Sequence, residues 1–341
     1  MSCVVVLPSG SNPEARRSST IRRGGVVRSC MLHCSRASRR SSSRRSLRLR
    51  SSSTIGGGAP SVAISFDGGY DVRAKNGPAA LELTGKTVLL TGASSGLGPH
   101  IARRLRSAGA KLILSARNRD ALQELGSELG ESKVIPADLA RRGEAERLAA
   151  EAGPVEILVS NAGVPASGAL DDLPLEAIDR ALEVNLRAGI VLTRLLLPAM
   201  LKRGSGQVVL MASMAGHVPG PKTSLYNATK FGLRGFGLAL RQELRGTGVG
   251  VSLISPTYVS DEGMWAETGQ KAPTIVGEVT PAEVAEAVLK AILRNRREIQ
   301  VASPIAVVGS RLLNLLPGLT EIGPSAATHP DEAVDQQRGK R

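Results

Sequence analysis

One octapeptide constrains this chain more than anything else in it: Thr91-Gly-Ala-Ser-Ser-Gly-Leu-Gly98, set between a short β-branched and leucine run (86–91) and a helical pattern (99–108). At a strand-to-helix junction, Gly92, Gly96 and Gly98 let the backbone turn tightly. They also let the N–H groups of a helix start approach a phosphate. In that setting the loop predicts a nucleotide cradle rather than an ordinary turn. The helix is expected to open on Pro99 at its first position, with Ile101, Ala102, Leu105 and Ala108 sharing one face.

The same alternation then repeats. Strands are expected at 111–115, 133–136, 156–160, 207–212, 250–255 and 298–302. Helices are expected at 119–129, 142–152, 174–203 (one long or two), 224–245 and 281–295. Strands that alternate with helices imply an α/β domain, a single doubly wound parallel sheet with helices on both faces.

Charge divides the chain of 341 residues unevenly. The first fifty hold twelve Arg and one acid, Glu14, so +11 of the net +14 sits there and the remainder carries only +3. A nearly neutral body argues against nucleic-acid binding. Residues 1–53 also hold fifteen Ser, the Arg/Ser-rich, acid-poor composition of an organelle transit peptide, expected to be disordered and plastid-directed, with the mitochondrion as the alternative. Residues 54–80 read as a Gly/Pro-rich linker, 81–305 as the catalytic domain, and 306–341 as an apolar extension with a polar tail.

All three cysteines (Cys3, Cys30, Cys34) lie in the head, and the body's histidines (His100, His217, His329) are far apart in sequence. No metal site is expected on that ligand count. No run of eighteen apolar residues occurs, which argues against a spanning helix.

The chemistry clusters at the ends of the expected strands. The second strand ends Ser115-Ala116-Arg117, without the acid that would hold a ribose 2′-hydroxyl. Arg117 can pair instead with a 2′-phosphate, which favours NADP(H). Ser213 follows the strand 207–212, and Tyr226 and Lys230 stand four apart on one helix face.

The 91–98 loop, Asn161-Ala-Gly163, Asn185, Ser213 and Tyr226-Asn-Ala-Thr-Lys230 together resemble the short-chain dehydrogenase/reductase family over residues 81–305. The resemblance implies a Rossmann-like fold, and Asn185, Ser213, Tyr226 and Lys230 as the catalytic residues. For the cofactor it implies Gly92, Ser94, Ser95, Gly96, Leu97 and Gly98 at the phosphates. Asp138 and Leu139 would lie beside the adenine, and Asn161, Ala162 and Gly163 would steady the sheet beside the cofactor. Lys230 would hold the nicotinamide ribose, Val259 would meet the carboxamide through its backbone, and Asn185 would bend its helix to seat a relay water.

Two positions depart from the family pattern. Ser160 stands before Asn161 where Asn is common, and Thr257 follows Pro256 where Gly is common.

The reaction expected is NADPH-dependent reduction of a hydrophobic or acyl-like ketone or aldehyde. Ser213 and Tyr226 would stabilise the developing oxyanion, Tyr226 would be the acid, and the Lys230 cation would lower the tyrosine's pKa. Oxidation of a hydroxysteroid-like or lipid alcohol, and a non-catalytic NADP(H)-binding role, are the alternatives.

Residues 257–276 read as the substrate loop, where Tyr258, Met264 and the only Trp, Trp265, either line a pocket or pack the loop. His217 reads as a loop bystander. The apolar stretch 304–318 is open to three roles: a last helix over the pocket, a dimer contact or a membrane-surface element. A homo-oligomer is expected from the resemblance.

Overall fold

The computed structural model describes residues 82–266, 272–273 and 276–316. The expected transit peptide and linker, part of the substrate loop and the polar tail lie outside the described residues.

Seven parallel strands form one sheet: β1 (Thr87–Thr91), β2 (Lys111–Ser115), β3 (Lys133–Val134), β4 (Ile157–Ser160), β5 (Gly206–Met211), β6 (Val249–Pro256) and β9 (Glu298–Val301), in the order β3-β2-β1-β4-β5-β6-β9. Between β6 and β9, β7 (Tyr258–Val259) and β8 (Glu278–Val279) form a separate parallel pair. The helices are α1 (Leu97–Ser107), α2 (Arg119–Leu129), α3 (Glu144–Ala152), α4 (Leu175–Leu182), α5 (Ala188–Arg203), α6 (Ser224–Glu243), α7 (Pro281–Arg294) and α8 (Pro304–Leu315).

The strands read as unbroken apolar runs because both sheet faces are covered. Successive residues point to opposite faces. Val88, Leu90, Ile157, Val159 and Val209 pack with Ile101 and Leu105 of α1, Leu122 of α2 and Val288 of α7. Leu89, Leu158, Val208 and Leu210 pack with Leu148 of α3, Leu192 and Met200 of α5 and Leu240 of α6. Each such large side chain, fully buried, contributes roughly 1.5–3 kcal/mol. From β3 the chain returns to the middle of the sheet and places β4 beside β1, so the strand order reverses between them. In an open sheet that crevice, at the carboxyl ends of the strands, is where ligands bind.

Helix ends follow the local chemistry. Asn118 accepts from the Ala121 N–H at 3.1 Å to cap α2. Thr280 and Glu283 form a reciprocal capping box on α7, whose first residue is Pro281. Caps of this kind contribute about 1 kcal/mol each.

Several expectations are corrected. α1 opens at Leu97, so Pro99 is its third residue. The missing proline N–H is still one that needs no intrahelical partner. The expected strand 133–136 pairs over only two residues. The 174–203 stretch, expected as one long helix or two, is two, as the second alternative has it, joined through a π-helical turn, Glu183–Arg187. By length and composition the continuous helical run Leu175–Arg203 is apolar enough to cross a membrane, although its buried Leu192, Leu196 and Met200 belong to the sheet core.

Candidate active site

The glycine loop has the shape its residues allow. Gly92 has φ +63°, and a Cβ there would come 2.8 Å from Ala162 Cα; a Cβ on Gly98 would come 2.1 Å from the Gly92 carbonyl oxygen. Neither position accepts a side chain. No side chain caps α1, and its first turn carries no acid. Its N–H groups and positive dipole end therefore face the crevice, where they suit a phosphate.

The end of β4 is stitched to the end of β1. Thr91 Oγ1 accepts from the N–H groups of Asn161 and Ala162, both at 3.1 Å. Asn161 Nδ2 donates to the carbonyls of Thr91 and Gly92 at 3.2 and 3.0 Å. Across this junction opens a cavity of about 510 Å³, lined by Gly92, Ser94, Ser95, Ser115–Asn118, Ala137–Leu139, Ala162–Val164, Arg180 and Val184. Most of the expected cofactor residues therefore share one space. Gly96, Leu97, Gly98, Asn161 and Val259 are not in its lining: the Leu97 side chain packs into the core, Asn161 ties β4 to β1, and Val259 pairs with Val279 in the β7–β8 pair. Tight glycine geometry, helix-end N–H groups and arginines on two walls fit a phosphorylated dinucleotide.

Ser213, Tyr226, Lys230 and Asn185 lie outside that lining, towards its Gly163–Val164 end. Asn185 sits in the π-helical turn. Its Oδ1 accepts from Val164 N–H at 2.7 Å and its Nδ2 donates to the Val164 carbonyl at 3.0 Å. Ser213 follows β5 and starts a short turn, its Oγ accepting from Ala215 N–H at 3.1 Å. On α6, Lys230 is buried, donates to the Met211 carbonyl at 2.9 Å, and holds its Nζ 5.6 Å from the Tyr226 ring centroid.

Burial pushes the Tyr226 phenol above its ordinary pKa, and a hydrogen bond from Ser213 only partly offsets this. Burial also pulls the Lys230 ammonium down to about 8. This corrects the expectation that Lys230 lowers the tyrosine. Both groups share a desolvated site, and low polarity disfavours the charged form of each.

His217 is no bystander. It is buried, with Nε2 3.1 Å from Glu298 Oε1 and 3.2 Å from Ser255 Oγ. Gln300 Nε2 reaches His217 Nδ1 and Ser310 Oγ, both at 3.2 Å, and Met214 Sδ at 3.7 Å. Arg234 Nε donates to Glu298 Oε1 at 2.7 Å. Burial alone raises the Glu298 carboxyl, but its hydrogen bonds to His217 and Arg234 outweigh burial and hold it at about 2. The turn after Ser213 is thus bolted to β9 and, through Ser310, to α8.

Sequence reasoning also missed Asn227, whose Nδ2 donates to the carbonyls of Ala215 and Val218 at 2.6 and 3.1 Å. Its place between Tyr226 and Lys230 was the available signal. Trp265 is buried, stacks at a tilt on Tyr258 with centroids 4.3 Å apart, and donates to Glu278 at 3.2 Å. It anchors the loop, which decides between the two roles left open for it. The neighbouring Glu262 reaches His100 of α1 at 3.2 Å.

Residues 86–273 match the family model described as short chain dehydrogenase. A ketoacyl reductase, HetN, from Nostoc sp. is 40% identical over 253 residues, covering 72% of this chain and 87% of that protein. Among solved structures, a variant of actinorhodin polyketide ketoreductase with NADPH is 31% identical with a TM-score of 0.59, covering 65% of this chain and 97% of that one. A metagenomic short-chain oxidoreductase in complex with NADP is also 31% identical, with a TM-score of 0.55, covering 65% and 98%.

Proposed function

The chain belongs to the short chain dehydrogenase family, and from that premise we propose that it reduces a ketone or aldehyde to an alcohol with NADPH, Tyr226 being the acid. The observation that carries this reading is the pair of hydrogen-bonded hydroxyls, Ser213 and Tyr226, at the carboxyl end of β5, with the phenol pushed up by burial. A phenol held neutral is a proton donor, which is what a carbonyl gaining a hydride needs. Ser213 donates to the same developing oxyanion. Lys230 and Asn185 would keep the proton path ordered behind Tyr226, and Lys230 would also hold the nicotinamide ribose.

A nicotinamide dinucleotide bound at the β1–β4 crevice would supply the hydride. Gly92, Ser94, Ser95, Gly96, Leu97 and Gly98 would hold its phosphates through their backbone. Asp138 and Leu139 would flank the adenine, and Asn161–Gly163 would steady the sheet beside the cofactor. The Val259 backbone would meet the carboxamide. Arg117, with no acid at Ser115 or Ala116, favours the 2′-phosphate of NADP(H). The NADP(H)-bound relatives support this choice, and the ketoacyl reductase relative supports an acyl-type ketone. We also infer a plastid destination from the Arg/Ser composition of residues 1–53; the N-terminus of the mature protein from its native tissue should then fall between Ser41 and Leu81.

The test is a screen of NADPH oxidation against acyl, quinone, steroid and short aldehyde carbonyls. Turnover with at least one class, abolished in Tyr226→Phe, is expected. NADPH binding without turnover of any class would turn the reading towards a binding protein.

A further inference from the structure

Arg180 stands near the end of α4, one helical turn before Val184, and lines the cavity together with Ser94, Ser95 and Arg117. Its Nε is buried without a hydrogen-bond partner. One natural helical partner goes elsewhere: Glu183, three residues on, takes Arg142 and Arg187 at 3.1 and 3.2 Å. Among the described residues no carboxylate pairs with Arg180. Arg180 as a whole is only partly buried, yet its Nε is closed off from water, and a buried N–H without an acceptor is costly. A fold keeps one where an anion is to arrive.

We propose that Arg180 is the second phosphate cation of this site and binds the diphosphate of the dinucleotide from the wall opposite the glycine loop, while Arg117 takes the 2′-phosphate. The inference rests on the dinucleotide reading above.

Sheet order separates the two roles. Arg117 follows β2, whereas Arg180 stands on the β4 side, and β1 with its glycine loop runs between them. The group between them is whatever lies on the Gly92–Ser95 loop. That loop and the start of α1 offer N–H groups but no cation: His100 reaches Glu262, and Arg103 and Arg104 pair outward with Glu128 and Glu286. A diphosphate seated there meets N–H donors on one side and the planar fork of Arg180 on the other.

The test is calorimetric titration of the full chain and its Arg180→Gln and Arg117→Ala variants with four probes: NADPH, NADH, ADP-ribose and adenosine 2′-monophosphate. Arg180→Gln should weaken the three diphosphate probes by a common factor, about tenfold to a hundredfold. It should leave adenosine 2′-monophosphate unchanged. Arg117→Ala should do the reverse, weakening NADPH and adenosine 2′-monophosphate while sparing NADH and ADP-ribose. Arg180→Lys should recover part of the loss, since it keeps the charge and loses the fork. The ligand-free melting temperature of Arg180→Gln should stay close to or above wild type, because the buried Nε without an acceptor has been removed.

A lowered melting temperature with equal losses on all four probes would make Arg180 structural and overturn the proposal. So would loss confined to the 2′-phosphate probes, or no loss at all, while the wild type binds NADPH. A wild type that binds none of the dinucleotides would sink the cofactor reading itself, and this inference with it.

Discussion

Around the cavity, Arg117 and Arg180 stand without carboxylate partners among the described residues. Behind Tyr226 the pattern is the opposite. Asn185 is held by Val164, Lys230 by Met211, Asn227 by Ala215 and Val218, and His217 by Glu298, Ser255 and Gln300. The first region keeps charge available to a ligand and relies on glycine and strand geometry for its shape. The second satisfies its polar groups internally, which fixes the hydroxyls of Ser213 and Tyr226 before any substrate arrives. Unpaired charge marks where binding happens; paired polarity marks where geometry has to be held.

Breaking the second region should have the largest effect. Tyr226→Phe keeps the ring and removes the proton donor, so turnover should fall on the order of 10²–10⁴-fold while NADPH affinity holds. Steady-state kinetics beside a binding titration checks this. Equal loss in both would mean that Tyr226 shapes the cavity rather than the chemistry.

Glu298→Gln should cost about 2 kcal/mol of stability near neutral pH, since it leaves Arg234 and His217 without their carboxylate. The Glu298 carboxyl is depressed from 4.5 to about 2 in the fold. Its contribution is therefore complete above about 4.5 and is lost as pH falls through about 2. Denaturant melts of the two proteins should converge as the pH drops across that window. A gap that persists at the lowest pH would place its cause outside the carboxylate.

The first region responds in affinity. Arg117→Ala should weaken NADPH by about tenfold to a hundredfold and leave NADH nearly unchanged. A wild type that already prefers NADH would remove the contrast between the two regions at its cofactor end.

The smallest effect sharpens the comparison from inside the buried region. Lys230 is depressed from 10.5 to about 8 in the fold, so burying its charge costs stability below about 8. That cost fades as pH rises towards 10.5, because the unfolded chain then still binds the proton that the folded chain has released. Lys230→Met should gain on the order of 1 kcal/mol relative to wild type at pH values below about 8, with the advantage shrinking by pH 10.5. A difference constant with pH would show that packing alone separates them.

Much of this was legible because it is local. The glycine loop, the strand alternation and the Tyr226–Lys230 spacing are each written in a dozen consecutive residues or fewer, and the apolar runs follow from burial of both sheet faces. Arg180 was not legible, because its position against the cavity depends on how α4 packs at the β1–β4 reversal, which no single stretch encodes. His217 was misread for the same reason: Glu298 and Gln300 reach it from 81 and 83 residues away. A bend at Asn185 was expected from the resemblance, but its π-helical form was hidden in a helical pattern that continues through it, where Asn185 makes two bonds to Val164.

One carboxamide, that of Gln300, binds Met214, His217 and Ser310 together. The turn beside Ser213 and α8 should therefore open as a single cooperative unit rather than two. Their backbone amides should exchange with solvent at a shared rate, and a protease cut within α8 would loosen the Ser213 hydroxyl nearly a hundred residues upstream.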